Sequence, residues 1–244
     1  VAGINHGRLQ RIVLWALIVV GSCWFSLTLS QLANFPRIHG DEVGIMAPAY
    51  KLAQQGIYGS DMYRGFYQAD QHYMFTLPFH HFVLALAFKL FGAGVLQARL
   101  VSVVAGLLLL ITISWLAYSW FGRTTALLCL FLLLLWRSQL TAAGAPIAAA
   151  LRSARYDMVA VLCIWLAIAL LVNLQQRPQK VWLAWASGLV AGLASVTQFY
   201  GLIVVPLLLF WGWAGRSKPL PFAHLVRGAF GFLTVAAIYG GYIL

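Results

Sequence analysis

The chain has 244 residues, of which 62% are hydrophobic and 9% charged, and its mean hydropathy is +0.86. Soluble domains run about 45–50% apolar and about 25% charged, so a water-soluble globule is excluded and the chain's solvent must be largely lipid. The net charge of +11 does not mark a nucleic-acid binder, because the basic residues stand singly or in pairs between apolar runs, the pattern of membrane topology.

A spanning helix needs about 20 apolar residues. In chain order the candidates are residues 12–30, 100–121, 124–140, 157–174, 181–197, 199–213 and 229 onward, about seven spans. The expected fold is therefore an all-α, polytopic transmembrane bundle. Cys23, Cys129 and Cys163 all fall inside apolar runs, an odd set that fits neither a disulfide framework nor a zinc site. No cleavable signal peptide is evident. The chain opens on Val1 and stops inside an apolar segment at Leu244, and it reads as an N-terminal fragment whose C-terminal part is missing.

Residues 77–91 are apolar but short, contain Pro78, His80, His81 and Lys89, and read as a helix lying in or dipping into the outer interface. Residues 31–97 then form one long extracytoplasmic loop. In this topology Arg8, Arg11, Arg123, Arg177, Lys180, Arg216, Lys218 and Arg227 are cytoplasmic, half of the 16 basic residues, and the shortest loops, where the positive-inside rule works best, all lie inside, while all five acids lie outside. Within the loop, residues 41–54 carry Val43, Met46, Tyr50 and Ala53 at helical spacing, with Gly40 before them and Gly56 as a stop. This predicts an amphipathic juxtamembrane helix on the membrane surface, kinked or interrupted at Pro48. Residues 58–73 are rich in tyrosine and polar side chains, as suits an interface.

The five acids are Asp41, Glu42, Asp61, Asp70 and Asp157. Asp41 and Glu42 are adjacent and close to the end of the first span, where ionisable groups at membrane depth mark function by default. The plainer alternative is that Asp41 caps the surface helix and Glu42 favours its positive end. Arg155-Tyr156-Asp157 lies at the outer mouth of a later span and faces the same side; there the alternative is a capping aspartate with a snorkelling arginine. Asp70 and His72 are weak candidates for a divalent metal, and His80 and His81 are further imidazoles, but no ligand spacing such as HExxH occurs. No Walker or Rossmann fingerprint is present either.

Taken in order, the motifs carry a resemblance. A span followed by Asp41-Glu42, a surface helix ending near Gly56, a Tyr-rich loop, a helix opened by Thr76-Leu77-Pro78 and closed by Lys89-Leu90-Phe91-Gly92, then Ala98-Arg99-Leu100-Val101-Ser102 before Gly106, is similar to the GT-C membrane glycosyltransferases. It most resembles the branch holding protein O-mannosyltransferases and the lipid A aminoarabinose transferase. The resemblance covers residues 12–210 and implies one transmembrane catalytic module over residues 1–244. It implies a multi-pass protein of the inner or plasma membrane with its active site facing outward. The implied reaction is transfer of a hexosyl or pentosyl group from a polyprenyl-phosphate carrier to an extracytoplasmic acceptor, which is a protein, lipid or polysaccharide. It maps the first-loop acid onto Asp41, with Glu42 beside it, and places Arg155-Tyr156-Asp157 at the second acidic loop motif. One departure is that aminoarabinose-type enzymes carry Glu-Lys where this chain has Met74-Phe75-Thr76; another is that the histidine of the mannosyltransferases before the proline pair is absent.

Transfer to a hydroxyl needs a base for the proton and positive charge for the leaving phosphate. Asp41 or Glu42 suits the first task, and Arg64, Lys89, Arg99 or Arg155 the second, with Asp157 orienting the acceptor or a metal. A rival reading is a transporter or flippase of a lipid-linked sugar, which would place ionisable groups near mid-membrane. A second rival is a non-catalytic membrane scaffold.

Overall fold

The structure is a computed structural model that describes residues 28–135, 151–214 and 220–243, together with residues 15, 18, 19 and 21–26. The described residues are all-α and contain no strand. Residues 21–26 and 28–29 are helical, and the turn after them carries a cis bond between Phe35 and Pro36. Among the described residues eight helices follow: α1 Gly40–Gln55, α2 Phe79–Phe91, α3 Val95–Phe121, α4 Arg123–Leu135, α5 Asp157–Gln176, α6 Trp182–Ser195, α7 Val204–Ala214 and α8 Phe222–Ile243. A 3₁₀ turn, Phe199–Ile203, leads into α7.

Helices α3 and α5 and residues 222–242 of α8 are long and apolar enough to cross a membrane; α2, residues 123–134 of α4, α6 and residues 199–210 are shorter apolar helices. The expected spans 100–121, 157–174 and 229 onward thus fall on long helices, the last beginning earlier than expected, at Phe222. The spans expected at 181–197 and 199–213 are present as short helices, the second divided between a 3₁₀ turn and α7. Much of the expected span 12–30, and residues 136–140 of the expected span 124–140, lie outside the described residues.

One end of the bundle gathers the loop. Arg99 at the start of α3 bonds Glu42 of α1, the amide of Phe79 donates to the carbonyl of Val196 after α6, and the rings of Tyr58 and Tyr242 pack 5.5 Å apart. The segment 28–78, the start of α3, the start of α5, the end of α6 and the end of α8 therefore share this loop end, and the helices between them alternate in direction. Helices α6 and α8 run parallel in close contact. A Cβ on Gly188 would lie 1.8 Å from the carbonyl oxygen of Gly228, and one on Gly231 would lie 2.1 Å from that of Trp185. Between helices in lipid such close backbone approach replaces the hydrophobic drive that water would supply. The main core joins Leu32, Val103, Leu109, Leu151, Met158, Val159 and Ala194.

The surface helix forms as expected and stops at Gly56, whose φ of 72° is open to glycine without penalty. Two details differ. Pro48 lies inside α1 without ending it, and the apolar face named from the sequence packs on the protein only in part, through Met46 and Ala53. Ile45 and Ala49 are buried against Leu84, Phe88 and Ala98, whereas Val43 and Tyr50 are exposed. The helix is apolar on two sides, one serving the core and the other left outward, as a helix in a lipid interface requires.

Candidate active site

The loop end is organised by one buried ion pair. Arg99 Nε and Nη2 donate to Glu42 Oε1 and Oε2 at 3.0 and 2.8 Å, and its Nη1 and Nη2 donate to the carbonyls of Leu32 and Pro36 at 2.8 and 2.9 Å. The Glu42 carboxylate also accepts from the amides of Ala154, at 2.7 Å, and His39, at 3.2 Å. Burial pushes the Glu42 carboxyl up, but the Arg99 guanidinium and the two amides outweigh it and hold the group below its ordinary value. The pair thus joins the turn after the first helix, α1, α3 and the segment before α5.

This placement corrects two expectations. Arg99 is 0% exposed and its side chain is spent on protein acceptors, so it has no face for a donor phosphate. Glu42 is 2% exposed with both oxygens engaged, so it has no free oxygen for an acceptor's proton. Both are positioned to hold the site rather than to touch a substrate. Arg152 works beside them: it donates to the carbonyls of Ser30 and Phe35 and lies over the Phe35 ring. Gly106 on α3 gives this segment its seat, since a Cβ there would meet Leu151 at 1.8 Å.

Outside this pair the side chains of the neighbouring acids are accessible. His39 is the N-cap of α1: its Nδ1 accepts from the Asp41 amide at 3.3 Å while Glu42 accepts from the His39 amide. Asp41 is therefore not the cap, and its carboxylate, 58% exposed, lies 3.5 Å from His39 Nδ1. Arg155 Nη1 lies 3.8 Å from Asp41 Oδ2, and Arg155 Nε donates to Asp157 Oδ2 at 2.8 Å. Arg155 and Asp157, expected to act separately, are directly paired, because Arg155 precedes the helix and its side chain folds back. Burial draws the Arg155 guanidinium down, but Asp157 and Asp41 more than offset it, so it stays charged. The other oxygen of Asp157 accepts from Tyr200 at 3.1 Å. The sequence reading missed Tyr200, which stands 43 positions from Asp157 with nothing local to connect them.

The remaining candidates lie apart from this cluster. Arg64 is exposed after the turn Asp61–Tyr63, where Asp61 pairs with Lys51. Asp70 accepts from Gln71, His72 is exposed, and no three His, Cys, Asp or Glu side chains among the described residues come together to hold a metal. Lys89 lies in the last turn of α2. His81 bonds Tyr58 and Thr76, while His80, fully buried with its ring edge-on to Tyr156, has a pKa pulled by burial, and by His81, down to about 3.

An apolar groove of about 580 Å³ lies between α2, α3 and α5, lined by Val83, Ala87, Leu100, Val104, Val159 and Leu162. A smaller cavity of about 270 Å³ among α5 to α8, lined by Ala184, Leu208, His224 and Phe232, contains no acid.

Fold and site together define a polytopic all-α membrane bundle with an acid–arginine–acid cluster at one mouth. Two solved structures share this fold. The chain aligns with ArnT from Cupriavidus metallidurans in the apo state at TM-score 0.64 and 21% identity, covering 96% of this chain and 41% of that one. It aligns with the same protein bound to undecaprenyl phosphate at TM-score 0.65 and 22% identity, covering 97% and 41%. The chain thus spans about two fifths of the length of these structures. No family model matches the sequence, and no curated protein matches it significantly.

Proposed function

We propose that this chain is the membrane catalytic part of a glycosyltransferase that takes a sugar from a polyprenyl-phosphate carrier and places it on an acceptor outside the cytoplasm. The observation that carries the reading is the Arg155 guanidinium. It is gripped through Nε by Asp157, leaving its Nη edge turned toward exposed Asp41 across 3.8 Å, while an apolar groove lies between α2, α3 and α5. A phosphate suits that edge because guanidinium offers it paired, charge-assisted donors. An isoprenoid tail suits the groove, and a neighbour of the same fold holds undecaprenyl phosphate.

In this scheme the acceptor hydroxyl oxygen attacks the anomeric carbon. The bond from that carbon to the phosphate oxygen breaks, its electron pair leaves on the polyprenyl phosphate, and the hydroxyl proton passes to the Asp41 carboxylate. Arg155 stabilises the charge that grows on the departing phosphate. Glu42 and Arg99 keep Asp41 and Arg155 at their separation. The loop end faces outward, a placement supported by Arg123, Arg177, Lys180 and Arg227 lying away from it, on the connecting turns, at the start of α4 and in the second turn of α8.

All five acids lie in the loop or in the first turns of α1 and α5, which favours a transferase over a flippase with ionisable groups at mid-membrane. The test is incubation of the purified protein in liposomes with a radiolabelled polyprenyl-phosphate sugar. Release of free polyprenyl phosphate with label on an acceptor supports the proposal. Transbilayer movement of intact donor would support the flippase, and neither result would leave a scaffold.

A further inference from the structure

The turn Phe199–Ile203 is held unusually firmly for a connection between two helices. Its Gly201 sits on the carbonyl of Ala194, where a Cβ would lie 2.1 Å from the oxygen. The Gln198 side chain caps the Phe199 amide at 3.1 Å, the Gly201 amide donates to Gln198 at 2.8 Å, and Thr197 donates to Leu193 at 2.6 Å. Behind it, the Val196 carbonyl is fixed to α2 by the Phe79 amide. Of the five residues in the turn only Tyr200 is polar. Phe199, Tyr200, Leu202 and Ile203 are all exposed, and the Tyr200 hydroxyl reaches Asp157.

We propose that Tyr200 is a positioning residue for anion binding at Arg155, acting through Asp157; this rests on the donor-phosphate reading given above. Asp157 has one donor on each oxygen, Tyr200 on Oδ1 and Arg155 on Oδ2. A carboxylate held on both sides cannot rotate about its terminal torsion, so the guanidinium it grips keeps one orientation. Removal of the phenol frees that rotation, and Arg155 then meets a phosphate over a range of angles in place of one. The phenol bonds Asp157 Oδ1 while Arg155 takes Oδ2, so its effect on the ligand runs through the carboxylate.

The experiment uses the full chain in detergent, with undecaprenyl phosphate as the probe and undecaprenol as the uncharged control. Binding is read by native mass spectrometry or thermal shift. Tyr200→Phe keeps the ring and its packing, so its thermal midpoint without ligand should match wild type, while affinity for undecaprenyl phosphate falls roughly tenfold, the scale of one hydrogen bond to a charged group. Undecaprenol binding should be unchanged. In an Asp157→Ala background the Tyr200→Phe change should cause no further loss, because the phenol then has nothing to position. Unchanged affinity in Tyr200→Phe, or an equal loss with and without Asp157, would overturn the assignment. A wild-type protein that binds undecaprenyl phosphate no better than undecaprenol would overturn the donor reading itself, a result distinct from both.

Discussion

Replacing Arg99 by leucine removes one half of a pair that is 0% and 2% exposed. Glu42 then keeps only the amides of Ala154 and His39 as donors, and the carbonyls of Leu32 and Pro36 lose theirs. Breaking a buried pair from one side costs about 3–5 kcal/mol, because the remaining charge is stranded. For a chain of this size that corresponds to a fall in thermal midpoint on the order of 10 °C. Glu42→Leu should cost a similar amount by stranding Arg99. The double variant Glu42→Leu/Arg99→Leu should cost less than the sum of the two, since neither charge is left unpaired. The pH dependence follows from the depressed carboxyl. Its stabilisation is complete above the ordinary value of 4.5 and is lost as pH falls through the lower folded value, and Glu42→Gln should flatten that acid limb. The assay is tryptophan fluorescence during heating of the purified protein in one detergent from pH 3 to pH 8. Wild-type midpoints in either single variant, or a double variant no better than additive, would refute the reasoning.

Asp41→Asn should leave the midpoint within a degree or two, since the carboxylate is exposed and is not the cap, while abolishing sugar transfer; near-normal turnover would remove Asp41 from the base role. Burial holds His80 neutral with a pKa lowered from 6.5 to about 3, so unfolded rings take up protons below 6.5 that folded ones refuse. Stability should therefore fall as pH drops from 6.5 toward 3, by up to about 1.4 kcal/mol per pH unit for this group, and denaturant midpoints of His80→Leu should lose part of that slope. With the loop end outward, Gly94→Cys should react with a membrane-impermeant maleimide in intact cells. Reaction only after the cells are opened would invert the topology.

What the sequence made legible was what depends on local pattern. The lengths of the apolar runs give α3, α5 and α8, and the stop at Gly56 follows from the αL conformation a helix end favours. The shared mouth of Asp41 and Asp157 follows from counting spans between them. The face of α1 was read only in part, with Met46 and Ala53 on the core and Val43 and Tyr50 outward, because hydrophobic periodicity marks the side that avoids water, and in a membrane both the core and the lipid satisfy it. Arg99 and Glu42 are 57 positions apart, and no spacing rule links residues brought together by tertiary packing alone. The alternative that Asp41 caps α1 does not hold: histidine is a rarer cap than aspartate, but here His39 takes that place and the Asp41 carboxylate lies between His39 and Arg155.

The tie between Arg99, Glu42, Leu32, Pro36 and Ala154 bears on how such a sequence is free to drift. Inside lipid, one apolar side chain is almost as good as another for keeping a helix in place, because the tails it would otherwise touch are equally apolar. The choice of which helix ends meet at the mouth must then be written in polar bonds, and this chain writes it in a handful of residues. Away from the close contacts at Gly106, Gly188 and Gly231, the lipid-facing positions of the spans can change letter by letter while the mouth keeps its shape.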